Sequence, residues 1–401
     1  MKEILINREN DTKQILLLED GELKEKYIES DKIVRIEGNM YVGQVKDVLQ
    51  GMQAAFINIG LKKNTFIHLK DILPKIDVSK EKEEKEELEN KNVKKILKPG
   101  MPILVQVKKD FTESKGAKVS THISINSRYI ILMPDTDIVT ISKKIEDSEE
   151  KKRLIDIVKK YLPENCGAII RTSAQDEEED KIKKDIQVAV NKWNEIKKLY
   201  DESVKQNKFP RLLYKTHGII KKLLIDLIDK DLQEIKVNNE EDYAYITKLL
   251  KDFDMPNIKL ELIKGNLLEE KVDLQKQIEK ADNRRVWLKC GGFISIDKTE
   301  ALTAIDVNSG KYIGKDNAEA TIFKVNKQAS IEIAKQLRLR DIGGIIIIDY
   351  IDMNDEKDKE EIIKALTEEL KKDRSKTQVI GFSKLNLLEM TRKHICSNEE
   401  N

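Results

Sequence analysis

Two aspartates follow apolar segments of the kind that form strands. Asp306 ends ALTAID and Asp349 ends GGIIIID, and Asn308 lies two residues after Asp306, so an extended backbone puts Asn308 on the same face. Open α/β sheets place their sites at such strand ends. Two carboxylates and an amide, with coordination positions left for water, suit Mg²⁺. Such an ion can activate water for attack on a phosphodiester, so this residue set predicts metal-assisted hydrolysis.

A structural role for the same aspartates stays open from the spacing alone. They could instead cap helices or pair with Arg338 and Arg340.

The segment IIIIDYID also looks like the strand of nucleotide hydrolases that ends in aspartate. That class needs a GxxxxGKS or GxxxxGKT loop to hold phosphates. The sequence contains no such loop, which excludes this class.

A second group of residues could bind an unpaired nucleic acid. Phe56 and Phe66, with Tyr41 nearby, lie among short strands, and Lys109 and Lys115 lie on a later hairpin. Aromatic faces stack unpaired bases and lysines hold the backbone. Packing of each phenylalanine in a core is the alternative, and it stays open at this point.

A third group matches a terminal phosphate. Arg171 and Thr172 follow GAII at a strand end, and a guanidinium fork with a hydroxyl fits a phosphate group. A surface salt bridge is the alternative role of the arginine. His394 and Cys396 have HxC spacing, but two ligands do not make a metal site.

These residues need strands, helices and a barrel to position them. Residues 1–36 read as short strands that cannot form a domain alone and must pair with a later segment. Short strands with glycines over 37–121 predict a small barrel, interrupted by a charged run at 79–95 that is typical of a solvated helix or loop. Helical periodicity appears over 149–161, 177–200, 218–232, 317–340 and 357–372. The predicted fold class is α/β, as an α+β multidomain chain.

Composition limits the class of protein. The chain has 401 residues with 74 Lys+Arg and 73 Asp+Glu, a net charge of +1, which excludes a uniformly basic nucleic-acid coat. Cys166, Cys290 and Cys396 stand far apart without a CxxC pair, which excludes a disulfide scaffold and fits a reducing compartment. The sequence shows no signal peptide and no apolar run long enough for a membrane span. We therefore expect a soluble, cytoplasmic protein.

Several long motifs resemble one family. ALTAIDVNSG, QLRLRDIGGIIIIDYIDM and LLEMTRKH closely resemble the catalytic domain of the RNase E/G endoribonucleases. GNMYVGQVKDVLQGMQAAFINIGL resembles the S1-type OB domain of that family, and GAIIRTSA resembles its sensor for the RNA 5′ end. The resemblance follows the family's order over nearly the whole chain.

The resemblance implies a domain plan. An RNase H-like structural subdomain would carry an inserted S1-type OB RNA-binding barrel and a 5′-sensor region, and a DNase I-like catalytic domain would follow. The RNase H-like subdomain would comprise 1–36 with 216–281, and the S1-type OB domain would comprise 37–121. The 5′-sensor region would be 122–215 and the DNase I-like catalytic domain 282–396, followed by a tail at 397–401.

The resemblance also implies roles for single residues. Asp306 and Asp349 would ligate the catalytic Mg²⁺, and Asn308 would help to position the attacking water or the scissile phosphate. A pocket that grips a 5′-monophosphate would be formed by Arg171, Thr172, Ser127 and Ile131. A track that guides single-stranded RNA over the barrel would be formed by Phe56, Phe66, Lys109 and Lys115.

The sequence departs from the family pattern in three places. The short CPxC segment through which two protomers share a zinc ion does not occur before the last residue, Asn401, so a homodimer fits but a zinc-linked one is not expected. The usual Arg-Arg after the 5′-sensing strand is Lys143-Lys144, and a further family arginine is Lys376. Lysine keeps the charge but loses the planar fork, so these changes bear on the strength of 5′-end binding.

The leading hypothesis is therefore a magnesium-dependent endoribonuclease that cuts single-stranded, AU-rich RNA such as rRNA precursors and mRNA. A 5′-monophosphate would stimulate it. The alternative is an RNA- or ribosome-binding factor that has lost catalysis, and the complete set of Asp306, Asn308 and Asp349 argues against it. A structural protein would show a heptad pattern, which is absent.

Overall fold

The structure is a computed structural model. It describes residues 1–30, 35–72, 96–111, 116–216, 218–228, 231–268, 272–310 and 318–395. For residues 218–222, 272 and 318 it describes the backbone alone. The charged run at 79–95, Lys115, Cys396 and the predicted tail at 397–401 lie outside the described residues.

The described chain is mixed α/β. The strands are β1 (Lys2–Glu9), β2 (Thr12–Glu19), β3 (Glu22–Ser30), β4 (Met40–Leu49), β5 (Ala54–Asn58), β6 (Thr65–His68), β7 (Pro102–Lys109), β8 (Lys118–Ser120), β9 (Ile125–Asn126), β10 (Ile130–Pro134), β11 (Val139–Ile141), β12 (Cys166–Ile170), β13 (Arg211–Tyr214), β14 (Leu232–Val237), β15 (Lys259–Leu262), β16 (Arg285–Trp287), β17 (Phe293–Lys298), β18 (Leu302–Asn308), β19 (Gly344–Asp349), β20 (Thr377–Phe382) and β21 (Leu387–Arg392). The helices are α1 (Ser148–Tyr161), α2 (Glu179–Lys205), α3 (Gly218–Leu227), α4 (Glu240–Asp252), α5 (Val272–Asp282), α6 (Ala318–Leu339) and α7 (Glu356–Leu370).

The chain forms two compact units. One comprises Met1–Ile33 with Ile228–Asn401, and the other is Val34–Leu227. The finer division into an RNase H-like part, a barrel, a 5′-sensor region and a DNase I-like part stays a prediction.

The N-terminal strands belong to a sheet in the order β15-β14-β1-β2-β3. β1 pairs antiparallel with β2 and parallel with β14, so the early strands do pair with a later segment, as the sequence predicted. Leu5, Leu16 and Leu18 are buried against Leu274 of α5 and against Leu267, which precedes that helix. A strand hairpin needs such a partner to bury its apolar face.

A second sheet in the same unit carries the two aspartates, in the order β16-β17-β18-β19-β21-β20. β18 runs parallel to β19, and the connection between them includes α6, as a parallel crossover requires. One sheet face is buried with α6 and α7, through residues such as Ile305, Val307, Ile346 and Ile348. The alternate residues of these strands therefore face the other, open side of the sheet.

The other unit contains a closed barrel. Strands β4, β5, β6, β8 and β7 follow one another, and β7 pairs back with β4 to complete the ring. Val45, Ile57, Ile67, Val105 and Val119 fill its interior. The predicted small barrel is thus present.

The same unit also holds a sheet in the order β11-β12-β10-β9, packed with α1 and α2. The two helices match the predictions for 149–161 and 177–200, although α2 ends five residues later, at Lys205, where Ser203 is still buried. Asp147 begins α1 by accepting the backbone N–H of Glu149 at 2.8 Å.

The mixed α/β class is confirmed at this level. In the part of the chain that the structure describes, no helix combines the length and the apolar composition needed to cross a bilayer.

Candidate active site and RNA-binding residues

Asp306 and Asp349 lie side by side on neighbouring strands. The parallel register of β18 and β19 pairs these two residues at the strand ends. Adjacent strands lie about 4.8 Å apart, so two side chains in register on one face start close together. Both aspartates are exposed, because their neighbours Ile305 and Ile348 point to the buried face.

Polar and acidic neighbours surround this pair. Asn308 donates a hydrogen bond from Nδ2 to Oδ2 of Asp306 at 2.6 Å. The pKa of Asp349 is raised above its ordinary value, first by partial desolvation and then by the negative charges of Asp306 and Asp352. The sequence analysis did not single out Asp352, although it stands three residues after Asp349 in IDYID.

The structural alternative for these aspartates finds no support from the two arginines. Nε of Arg338 lies 4.0 Å from Oε1 of Glu25, and the same guanidinium donates a hydrogen bond to the backbone oxygen of Lys372. Arg340 donates from Nε to the side chain of Gln336 at 2.7 Å. Both guanidinium groups are therefore directed to partners other than the strand-end pair.

The residues of the pair fit a magnesium ion. Among the described residues, no group of three or more His, Cys, Asp or Glu side chains could hold a metal. Mg²⁺ commonly takes one or two protein carboxylates and completes its shell with water and substrate phosphates. A cation between Asp306 and Asp349 would also relieve the repulsion between the two carboxylates, which adds to desolvation in raising the pKa of Asp349. His394, by contrast, has Nδ1 2.9 Å from the backbone oxygen of Asp341.

The barrel presents an aromatic pair on its outer surface. Phe56 and Phe66 are opposite each other on β5 and β6, with ring centroids 6.1 Å apart at 68°. Both are half-buried and alternate with the interior residues Ile57 and Ile67. They therefore lie outside the barrel core, which leaves their ring surfaces available to a ligand.

Lysines flank this aromatic pair. Lys109 is exposed at the end of β7 and is opposite Lys118, which itself pairs in register with Phe66. Lys118 forms an ion pair with Asp71 at 3.0 Å. Sequence reasoning missed Lys118, because its position beside Phe66 depends on the closure of the barrel.

The residues predicted to bind a 5′-monophosphate lie around the end of β12. The guanidinium of Arg171 donates to the backbone oxygen of Ser127 at 3.4 Å, and the Thr172 hydroxyl lies 3.0 Å from that of Ser142. Ile131 lies on the adjacent strand β10, opposite Ile169. The structure thus brings Arg171 and Ser127 into contact and keeps Thr172 and Ile131 nearby.

Two acids complete this region, and sequence reasoning missed both. Asp226 of α3 forms an ion pair with Arg171, while burial holds the pKa of that arginine below its ordinary value. Asp185 of α2 is buried and accepts hydrogen bonds from the Ser127 hydroxyl and from the backbone N–H of Tyr129, the latter at 2.8 Å. The sequence did contain a signal for Asp185: it stands three residues after Ile182, on the apolar face of the helix, where an acid is unusual.

The fold and the site together define an α+β protein with a small closed barrel and, on a separate sheet, an exposed carboxylate pair. A family model described as "Ribonuclease E/G family" matches residues 124–395. Ribonuclease G of Escherichia coli (strain K12) is 36% identical over 410 residues, covering 99% of this chain and 82% of that protein. Ribonuclease G of Haemophilus influenzae is 36% identical over 396 residues, covering 98% and 79%. Ribonuclease E of Buchnera aphidicola subsp. Schizaphis graminum is 33% identical over 412 residues, covering 99% and 41%.

The chain belongs to the ribonuclease E/G family. The comparisons confirm the family that the sequence motifs predicted, and with it the predicted enzyme class, endoribonuclease.

Proposed function

We propose that this chain is a cytoplasmic, magnesium-dependent endoribonuclease that cleaves single-stranded RNA, with rRNA precursors and mRNA as substrates. The observation that carries the proposal is the pairing of Asp306 with Asp349 in register on an exposed sheet face, in a chain of this family. Asp306 and Asp349 would hold the ion, and Asn308 keeps the Asp306 carboxylate in place through its hydrogen bond. When bound, Mg²⁺ would supply an activated water and charge neutralisation at the phosphate.

The barrel would bind the RNA strand. We assign it as the S1-type OB domain, with Phe56 and Phe66 as stacking surfaces and Lys109 as a phosphate contact. Lys115, which lies outside the described residues, keeps its predicted role beside them. The RNase H-like and DNase I-like assignments of the two sheets in the other unit belong to the same proposal.

A cleavage assay tests the proposed function. A labelled unpaired RNA should be cut in the presence of Mg²⁺, with 5′-phosphate and 3′-hydroxyl products, and should stay intact in a chelator. Binding without cleavage under both conditions would instead support a non-catalytic RNA-binding factor. Equal rates on 5′-monophosphate and 5′-hydroxyl substrates would contradict the 5′-sensing role of Arg171 and Thr172 without affecting the nuclease assignment.

Asp226→Asn is expected to strengthen 5′-end binding. The carboxylate of Asp226 pairs with the guanidinium of Arg171, which a 5′-phosphate would also need to bind. Replacing this carboxylate by a neutral amide therefore removes a competitor of the phosphate. We expect KM for a 5′-monophosphorylated RNA to fall about threefold, of the order of one weak ion pair. KM for the matched 5′-hydroxyl RNA should not change, and an equal fall for both substrates would contradict the prediction.

A further inference from the structure

An aromatic pair, of which Trp287 is exposed and Phe293 half-buried, lies on the sheet that carries the candidate catalytic acids. Trp287, at the end of β16, is 62% exposed. Its ring centroid lies 5.3 Å from that of Phe293, the first residue of β17, at an angle of 60° between the planes. A large exposed apolar surface beside a polar site is typical of a ligand-binding position.

The register of the sheet places this pair next to Asn308. Trp287 is opposite Phe293, and Phe293 is opposite Asn308, so the three residues form one row across β16, β17 and β18. The row spans about 10 Å, twice the usual distance between strands. The neighbouring row on the same face includes Asp306, so the aromatic pair and the acids border a single surface.

The turn between β16 and β17 holds the pair in place. The carbonyl oxygen of Gly292 accepts a hydrogen bond from the backbone N–H of Leu288 at 2.8 Å. A Cβ at Gly292 would lie 2.8 Å from the backbone oxygen of Asn308, and one at Gly310 would lie 2.5 Å from the oxygen of Gly291. Only glycine fits these close approaches, so the hairpin turn packs directly on the end of β18.

A cation accompanies the rings. The guanidinium carbon of Arg285 lies 4.4 Å from the centroid of the Phe293 ring, and Ser295 separates Arg285 from Asp306 in the adjacent row. An apolar protein partner would bury this cation, which is costly without a counter-charge. A nucleotide matches the set, since its base can stack on the rings while its phosphate lies beside the guanidinium.

We propose that Trp287 and Phe293 form a stacking subsite for one unpaired nucleobase adjacent to the scissile phosphodiester, with Arg285 beside the phosphate of that nucleotide. This subsite rests on the endoribonuclease function proposed above and adds a base-binding position to it. Stacking tolerates any base but needs a free face, so the subsite selects unpaired RNA rather than a particular sequence.

Kinetics on a short unpaired RNA test the subsite. Trp287→Ala should raise KM about tenfold, as loss of one stacked base does, and Trp287→Phe should retain most of the affinity. Ile380→Ala, at a 61% exposed position on the edge strand β20, is the matched control and should leave KM unchanged. For the native protein, a single abasic nucleotide at one position near the cleavage site should raise KM by the same factor. Trp287→Ala should show no further rise in KM when the abasic nucleotide is at that position.

Tryptophan fluorescence gives a second readout that does not depend on cleavage. The chain has two tryptophans, and Trp193 is only 8% exposed. RNA added in a chelator should quench the emission of the native protein but not that of Trp287→Phe. Quenching without any cleavage in Mg²⁺ would support the subsite and contradict the proposed function alone.

Two results would overturn the proposal. One is an unchanged KM for Trp287→Ala together with the absence of a sensitive abasic position. The other is a changed sedimentation coefficient of Trp287→Ala with unchanged RNA binding, which would assign the aromatic pair to contact with a second copy of the chain.

Discussion

Asp306→Asn and Asp349→Asn are each expected to reduce the rate of RNA cleavage about a thousandfold or more, because metal assistance supplies several kcal/mol of transition-state stabilisation. Each substitution keeps the size of the side chain but removes one of the two paired carboxylates. Folding should be intact, since both side chains are exposed and either change removes the repulsion between the two carboxylates. Single-turnover cleavage with saturating enzyme measures the rate of the chemical step.

The metal itself provides a second measurement for these variants. Mg²⁺ should raise the unfolding temperature of the native protein by mass action, and this shift should disappear in both variants. Glu389→Gln is the matched control, because Glu389 is an exposed carboxylate of β21 opposite Ile347 on the same sheet. It should keep both the cleavage rate and the Mg²⁺-dependent shift. Near-normal cleavage by either aspartate variant would reject the assignment of the site.

Arg392→Met should lower the free energy of unfolding by about 4 kcal/mol, the cost of breaking a buried ion pair from one side. Arg392 is fully buried, and its guanidinium donates to Asp373 at 2.7 Å, to Asp341 at 2.8 Å and to the backbone oxygen of Ile342 at 2.9 Å. These bonds connect β21 with the ends of α6 and α7. The substitution removes the guanidinium that both buried carboxylates accept from. Urea unfolding followed by circular dichroism measures the loss.

Arg284→Met is the matched control for this prediction. Arg284 forms a bidentate ion pair with Asp297, but the side chain of Arg284 is 72% exposed and that of Asp297 is 43% exposed. Solvent screens such a pair, so the variant should lower the free energy of unfolding far less than Arg392→Met does. A loss for Arg392→Met no larger than that for Arg284→Met would show that the buried network does not stabilise the sheet.

Much of the local structure was predictable because it depends on neighbouring residues. The periodicity over 149–161 and 357–372 corresponds to helices Ser148–Tyr161 and Glu356–Leu370. Each begins after an aspartate that accepts a backbone N–H, which is a short-range signal. The end of α2 was predicted five residues too early, at residue 200, because its last turn to Lys205 depends on the tertiary burial of Ser203 rather than on a sequence signal.

The acids illustrate the boundary between local pattern and tertiary structure. An apolar run that ends in aspartate is enough to place Asp306 and Asp349 on strand ends, and the motifs around them are enough to indicate the family. The pairing of one with the other depends on strand register across a connection that includes α6, which no local pattern specifies.

The contacts that modify function come from still more distant pairings. Asp226 reaches Arg171 from a helix far along the chain, and Trp287 comes into one row with Phe293 and Asn308 only through two antiparallel registers. Alternation in a strand tells which face a side chain occupies, but not which residue stands beside it. The partner is set by packing of the whole sheet against its helices, because only one register buries every apolar face together.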